Sequence, residues 1–168
     1  MNTSPVGIDP KLKAFLDLIA WSEGTSTSPI TQNDGYDVIV SGVDGLHRMI
    51  DYDDHPFAPQ YKRQPVIVRR VPLLESTAAG RYQLLYRYWT VYRAELHLSN
   101  FAPVNQDAVA LKQAQERCAL TLVMNNAVDQ AIAACSNIWA SFPNNSYGQG
   151  GKSMAELLSK YAELLAAK

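Results

Sequence analysis

Gly35, Gly42, Gly45, Pro56, Pro59, Pro65 and Pro72 punctuate the stretch from 25 to 75 so closely that no helix can run through it. The β-branched runs left between them, YDVIV (36–40) and PVIVRRV (65–71), have the length of short strands. On either side the apolar period is helical. Asp9 and Pro10 make a helix start; Leu12, Phe15, Leu16 and Ile19 follow at helical spacing, and Gly24 is a stop. From Ala78 onward, Leu85, Tyr88, Trp89, Tyr92 and Leu96 define one helix face, Ala108, Leu111 and Ala114 a second, and Val128, Ala131, Ile132 and Cys135 a third. A last helix opens on the capping-box spacing Ser153/Glu156 and turns Met154, Leu157, Leu158, Tyr161 and Leu165 inward. Between the last two helices, SNIWASFPNNSYGQGG (136–151) is too rich in Gly, Asn, Ser and Pro to be either, and reads as a long loop or second lip. The class is α+β: a mostly helical lobe, a small β-rich lobe over 25–75, and a cleft between them where a ligand belongs.

At 168 residues the chain suffices for one domain, 1–168, with residues 1–9 flexible. Fifteen basic against sixteen acidic side chains leave a formal charge of −1, so no overall field favours nucleic acid or an anionic membrane. MNTSPVGIDP has neither the basic nor the apolar region of a leader, and no window approaches the roughly 20 apolar residues of a membrane span, which predicts a protein that stays in the cytoplasm unless another factor releases it. Cys118 and Cys135 lack a CxxC spacing and read as small buried thiols. Asp51, Asp53 and Asp54 beside His55 could suggest a metal, but adjacent acids before Pro56 are a turn pattern, so no metal or cofactor is expected.

Counting four on from Ile19 places Glu23 on the inward line of the first helix, at its last turn. Partial burial and the negative end of the helix dipole both disfavour its anion, and a carboxyl that stays protonated near neutrality is what a general acid requires. A buried hydrogen bond to a backbone group or to Arg81 is the structural alternative. Farther on, AAGRYQLL (78–85) sets Gly80 and Gln83 at the start of a helix, where Gly80 would let a ligand approach the backbone and the Gln83 amide can donate and accept. Tyr36 and Asp37 point to opposite faces of their strand, so one of them faces the groove. Asn137 could bind an N-acetyl group or cap its helix.

FLDLIAWSEGT (15–25), GYDVIV (35–40), DYDDHP (51–56), AAGRYQLL (78–85), NQDAVAL (105–111), CSNIWASFP (135–143) and YGQ (147–149) resemble, in order and spacing, the phage lambda-type endolysins over residues 11–165. That resemblance implies a lysozyme-like fold and lytic transglycosylase activity on peptidoglycan, with Glu23 as the catalytic acid. It also implies glycan contacts from the Gly80, Arg81, Tyr82 and Gln83 stretch, and from Tyr147 and Gln149 in a loop over the sugar chain opposite a β-lobe lip around 36–75. The expected partner is the peptidoglycan strand, with a holin needed for access to the periplasmic wall, and a monomer acting without cofactor. Two rivals stay open: a hydrolytic muramidase whose second carboxylate would be Asp37, and a non-catalytic glycan-binding domain. The 41–50 segment, SGVDGLHRMI, and NNSYGQGG (144–151) depart from the family pattern.

Overall fold

The computed structural model of the chain describes residues 7–143 and 151–168. These fall into two compact units, Met1–Ser22 with Leu111–Lys168, and Glu23–Ala110.

The first unit is helical. Asp9 accepts from the Lys11 backbone N–H at 2.8 Å and caps α1 (Pro10–Ser22), while Gly24, with φ of 76°, ends it in the left-handed conformation that a side chain would disfavour. Every residue from 14 to 20 is buried, so α1 is a central helix rather than the one-faced helix its spacing predicts. The exception to apolarity is Asp17, whose carboxylate is answered by Lys13 and Lys168. Helix α1 packs against α4 (Ala119–Met124) and α6 (Met154–Ala166). Their shared core includes Phe15, Ile19, Val123, Ile132 on α5 (Val128–Ala134), Trp139, Phe142 and Leu157. The Ser153/Glu156 capping box forms as its spacing predicts. Leu158, expected inward, is 37% exposed because Leu157 and Tyr161 take the core side of α6.

Helix α4 was not legible in the periodicity, since six residues are too few to show one. It is separated from α3 (Pro103–Glu116) by Cys118, whose φ of 58° breaks the helical run. Cys118 is exposed, contrary to expectation; Cys135 is buried, and burial pushes its thiol up to about 12, which removes it from thiolate chemistry.

The second unit carries the strands. A four-stranded antiparallel sheet has the order β2 (Gly45–Arg48), β1 (Val38–Gly42), β5 (Ala78–Ala79), β6 (Leu84–Leu85). A separate hairpin pairs β3 (Val66–Arg69) with β4 (Leu74–Ser76), and the N–H of Val43 donates to the Ile67 carbonyl at 2.9 Å, joining the β1–β2 turn to it. Ile39 pairs with His47 on one side and Ala79 on the other, which fixes the register of the sheet under α2 (Tyr86–Glu95). Ile39, Met49, Phe57, Val66, Leu84, Trp89, Phe101 and Val109 form the core. Tyr88, placed by spacing on the inner face of α2, is 44% exposed, and Trp89 alone of that helix is fully buried.

The DYDDHP acids belong to this core's edge. Asp54 accepts from the Trp89 indole N–H at 2.7 Å and from Arg93 at 2.6 Å, and the carboxyl is held below its ordinary range: burial pushes it up, but these bonds and those from Gln60 and His55 outweigh burial. His55 is fully buried, and its Nε2–H donates to the Leu84 carbonyl at 2.9 Å. Burial lowers its pKa to about 4, so the folded ring is neutral near pH 7. The unfolded chain, whose histidines titrate near 6.5, therefore binds this proton first as the pH falls. Stability should hold above about pH 6.5 and decline on acidification towards pH 4, with about 3 kcal/mol of it traceable to His55. Urea midpoints measured from pH 7.5 to 4.5 check this, and His55→Gln should flatten the slope; an unchanged slope would refute it.

Candidate functional site

Glu23 is the first residue past α1 rather than part of its last turn, and it is half-buried. The loop that carries it is fixed from three sides. The Thr25 hydroxyl donates to the Arg81 carbonyl at 2.6 Å, and the Ser28 N–H donates to the Thr25 carbonyl at 3.2 Å. Gly35 lies so close that a Cβ there would stand 2.8 Å from the Thr25 carbonyl carbon. A rigid backbone two residues from Glu23 thus ties it to the 80–83 segment, which the sequence blocks placed together without showing how.

That segment is the turn of the β5–β6 hairpin, not the start of a helix. Gly80 has φ of 79°, and a Cβ on it would lie 2.3 Å from Oε1 of Gln106, so a side chain is refused both by the backbone and by space. The group that approaches the Gly80 backbone is therefore Gln106 of α3, where a ligand was expected. Gln106 Oε1 also accepts from the Arg81 N–H at 2.9 Å, while its Nε2 donates to the carbonyls of Tyr36 and Phe101. The Gln83 Nε2 donates to the Gly80 carbonyl at 3.1 Å and closes its own turn.

Beneath the turn lies a buried polar network. The Arg81 guanidinium binds the Asp34 carbonyl at 2.7 Å and the Asp34 carboxylate, and its carbon lies 4.9 Å from the centre of the Tyr36 ring. Tyr36 and Tyr82 both donate to Oδ1 of Asp107, at 2.8 and 2.6 Å, with their rings edge to face. Burial first, and the Asp107 carboxylate second, push both phenols above their ordinary range, so they remain donors. Asp37 is equally committed: Thr31 and the Gln32 N–H bond its two oxygens at 2.6 and 2.9 Å, with Arg48 at 3.5 Å. Burial would raise its pKa, but these partners hold it low, and it is anionic.

The expected sugar contacts divide accordingly. Asp37, Arg81 and Tyr82 are 3%, 2% and 4% exposed, and Gly80 is also buried, so in this structure their hydrogen bonds shape the loops from within. Tyr36 and Gln83 are half-buried and Asn137 is exposed in the other unit. Tyr147 and Gln149 lie outside the described residues. Trp139 is a core side chain, 2% exposed and 5.9 Å ring to ring from Phe142. Sequence reasoning missed Gln106, Asp107, Thr25 and Asp34 as site-builders, although NQDAVAL flagged the segment holding the first two. Among the described residues, no group of three or more His, Cys, Asp or Glu side chains is placed to hold a metal, and no helix is long and apolar enough to cross a membrane.

Residues 13–167 match the Endolysin family model. The chain is 48% identical to the endolysin of Escherichia phage lambda over 94% of this chain and 93% of that protein. It is 46% identical to the endolysin of Escherichia phage P2 over 88% of each. Its backbone matches the bacteriophage lambda lysozyme complexed with a chitohexasaccharide with a TM-score of 0.83, at 48% identity, covering 95% of this chain and 96% of the other. A second structure of the lambda lysozyme matches with a TM-score of 0.79. The α+β architecture is thus a lysozyme-like fold.

Proposed function

This chain belongs to the Endolysin family, and from that premise we propose that it degrades peptidoglycan by non-hydrolytic cleavage of the MurNAc-GlcNAc β-1,4 bond, leaving a 1,6-anhydro-MurNAc end. The observation that carries the reading is the placement of Glu23: a half-buried carboxyl at the carbonyl end of α1, on a loop pinned by Thr25 and Gly35. A carboxyl is the side chain that can give a proton to a leaving oxygen and later take one back.

Glu23 protonates the glycosidic oxygen as the bond to C1 of MurNAc breaks. The carboxylate left behind then takes the proton of the C6 hydroxyl as that oxygen closes on C1, so one side chain acts as acid and then base. An intramolecular hydroxyl has an effective molarity on the order of 10⁵ M when well aligned, and no bound water is required. The hydrolytic muramidase is the second reading. It needs another carboxylate to serve as base or nucleophile. Its candidate Asp37 is buried with both oxygens already bonded, which favours the first reading.

Within the 23–110 unit the glycan would be met by Tyr36 and Gln83, and the chitohexasaccharide bound by the lambda relative is an oligosaccharide of the class we assign to this chain. Action would follow synthesis in the host cytoplasm and release through a membrane opened by a holin, to lyse the host from its periplasmic wall as a monomer. Mass spectrometry of a sacculus digest tests the chemistry. The expected products end in anhydro-MurNAc, lighter than reducing ends by one water; a digest of reducing MurNAc ends would overturn the transglycosylase reading and promote the muramidase.

A further inference from the structure

We infer that the pocket lined by Met49, Ile50, Asp51, Pro56, Tyr61 and Arg63 is a subsite for the free amino-carboxylate end of a peptidoglycan stem peptide, so that the enzyme reads the peptide as well as the glycan. The cavity is about 380 Å³, the size of a small-ligand site. It lies wholly within the 23–110 unit and shares no lining residue with the Glu23 loop or the 80–83 turn. The inference rests on peptidoglycan being the substrate.

The lining has a division of labour. Met49 and Pro56 are buried and give an apolar floor, while Ile50 is 89% exposed and contributes to no core. The Tyr61 hydroxyl donates to Oδ1 of Asp51 at 2.5 Å, and the Asp53 N–H donates to the same oxygen at 3.1 Å. Burial and the Asp51 carboxylate push the Tyr61 phenol up to about 12, so this donor keeps its proton and Asp51 stays oriented. Neither bond uses Oδ2, which is left to take a further donor. Arg63 is exposed and, among the described residues, makes no ion pair.

One fixed carboxylate and one exposed guanidinium over a short apolar floor match a zwitterion with an aliphatic body: an ammonium for Asp51, a carboxylate for Arg63, methylenes for Met49, Ile50 and Pro56. A bare glycan strand carries hydroxyl and N-acetyl groups and lacks paired charges of opposite sign. The uncross-linked end of a diamino acid in a stem peptide carries both.

The test compares sacculi bearing their peptides with glycan strands of the same length stripped of peptide by an amidase. Wild type should favour the peptide-bearing substrate roughly tenfold or more in kcat/KM, the effect of one or two charge-assisted bonds. Arg63→Ala and Asp51→Asn should erase most of that preference and leave the rate on stripped strands unchanged. Both are surface-compatible changes, and the amide still accepts from Tyr61. Equal wild-type rates on the two substrates, or variants that slow both by one factor, would overturn the subsite. Calorimetric titration of free stem tetrapeptide separates this from the cleavage chemistry. Binding to wild type that is lost in Arg63→Ala, or on acetylating the peptide's free amino group, supports the subsite even if no cleavage occurs. Absence of tetrapeptide binding refutes it even if the enzyme lyses cells.

Discussion

Glu23→Gln should lose roughly a thousandfold or more of its lytic rate while keeping its fold, because one side chain is asked to give a proton and then take one. The amide occupies nearly the same volume and offers an N–H to the glycosidic oxygen, but it cannot transfer that proton to a leaving alkoxide. Its position explains why stability should be spared. Glu23 sits just past α1, half-buried, while the loop geometry depends on Gly24, Thr25 and Gly35. The unfolding free energy should change by less than about 1 kcal/mol, as for a substitution away from the core. Clearing of permeabilised cells gives the rate, and glycan affinity measured on the same sample should stay near wild type. Activity within about tenfold of wild type would remove Glu23 from the mechanism.

The helical stretches on either side of the β-rich insertion were legible because each rests on local pattern, apolar period, Gly and Pro punctuation and a capping box, although Glu23 lies just past the helix turn assigned to it. Tertiary choices were not. Gly80 announces a position that needs a glycine, yet whether a ligand or Gln106 fills the space is decided by α3, more than twenty residues away. Asp37 and Asp107 look alike in a sequence. One is satisfied locally by hydrogen bonds from Thr31 and Gln32, whereas the other gathers two tyrosines from different segments. A carboxylate's role depends on how many donors already reach it, and that number comes from the fold rather than from its neighbours in the chain. Helix α4 was hidden for a different reason, being shorter than two periods.

The same criterion sorts the DYDDHP acids and yields a large expected loss of stability. Asp54 is 9% exposed and takes four donors: the Trp89 indole at 2.7 Å, Arg93 at 2.6 Å, Gln60 at 3.2 Å and the His55 N–H at 2.7 Å. Removing it strands the indole N–H of a fully buried tryptophan, at about 1–3 kcal/mol for an unsatisfied buried donor. Arg93 also loses its carboxylate. A fully buried pair broken in this way costs about 3–5 kcal/mol, but the Arg93 side chain is 38% exposed and water will answer much of its loss. Asp54→Ala should therefore destabilise the protein by about 3 kcal/mol, read as a lower urea midpoint at unchanged slope. Asp54→Asn keeps an oxygen for the indole and gives up the charge, so it should fall between the two. Neither change touches Glu23 or the 80–83 turn, and cleavage per folded molecule should match wild type. If Asp54→Ala instead silenced the enzyme without lowering its stability, the carboxylate would belong to the chemistry, and the single-carboxylate mechanism would have to be abandoned.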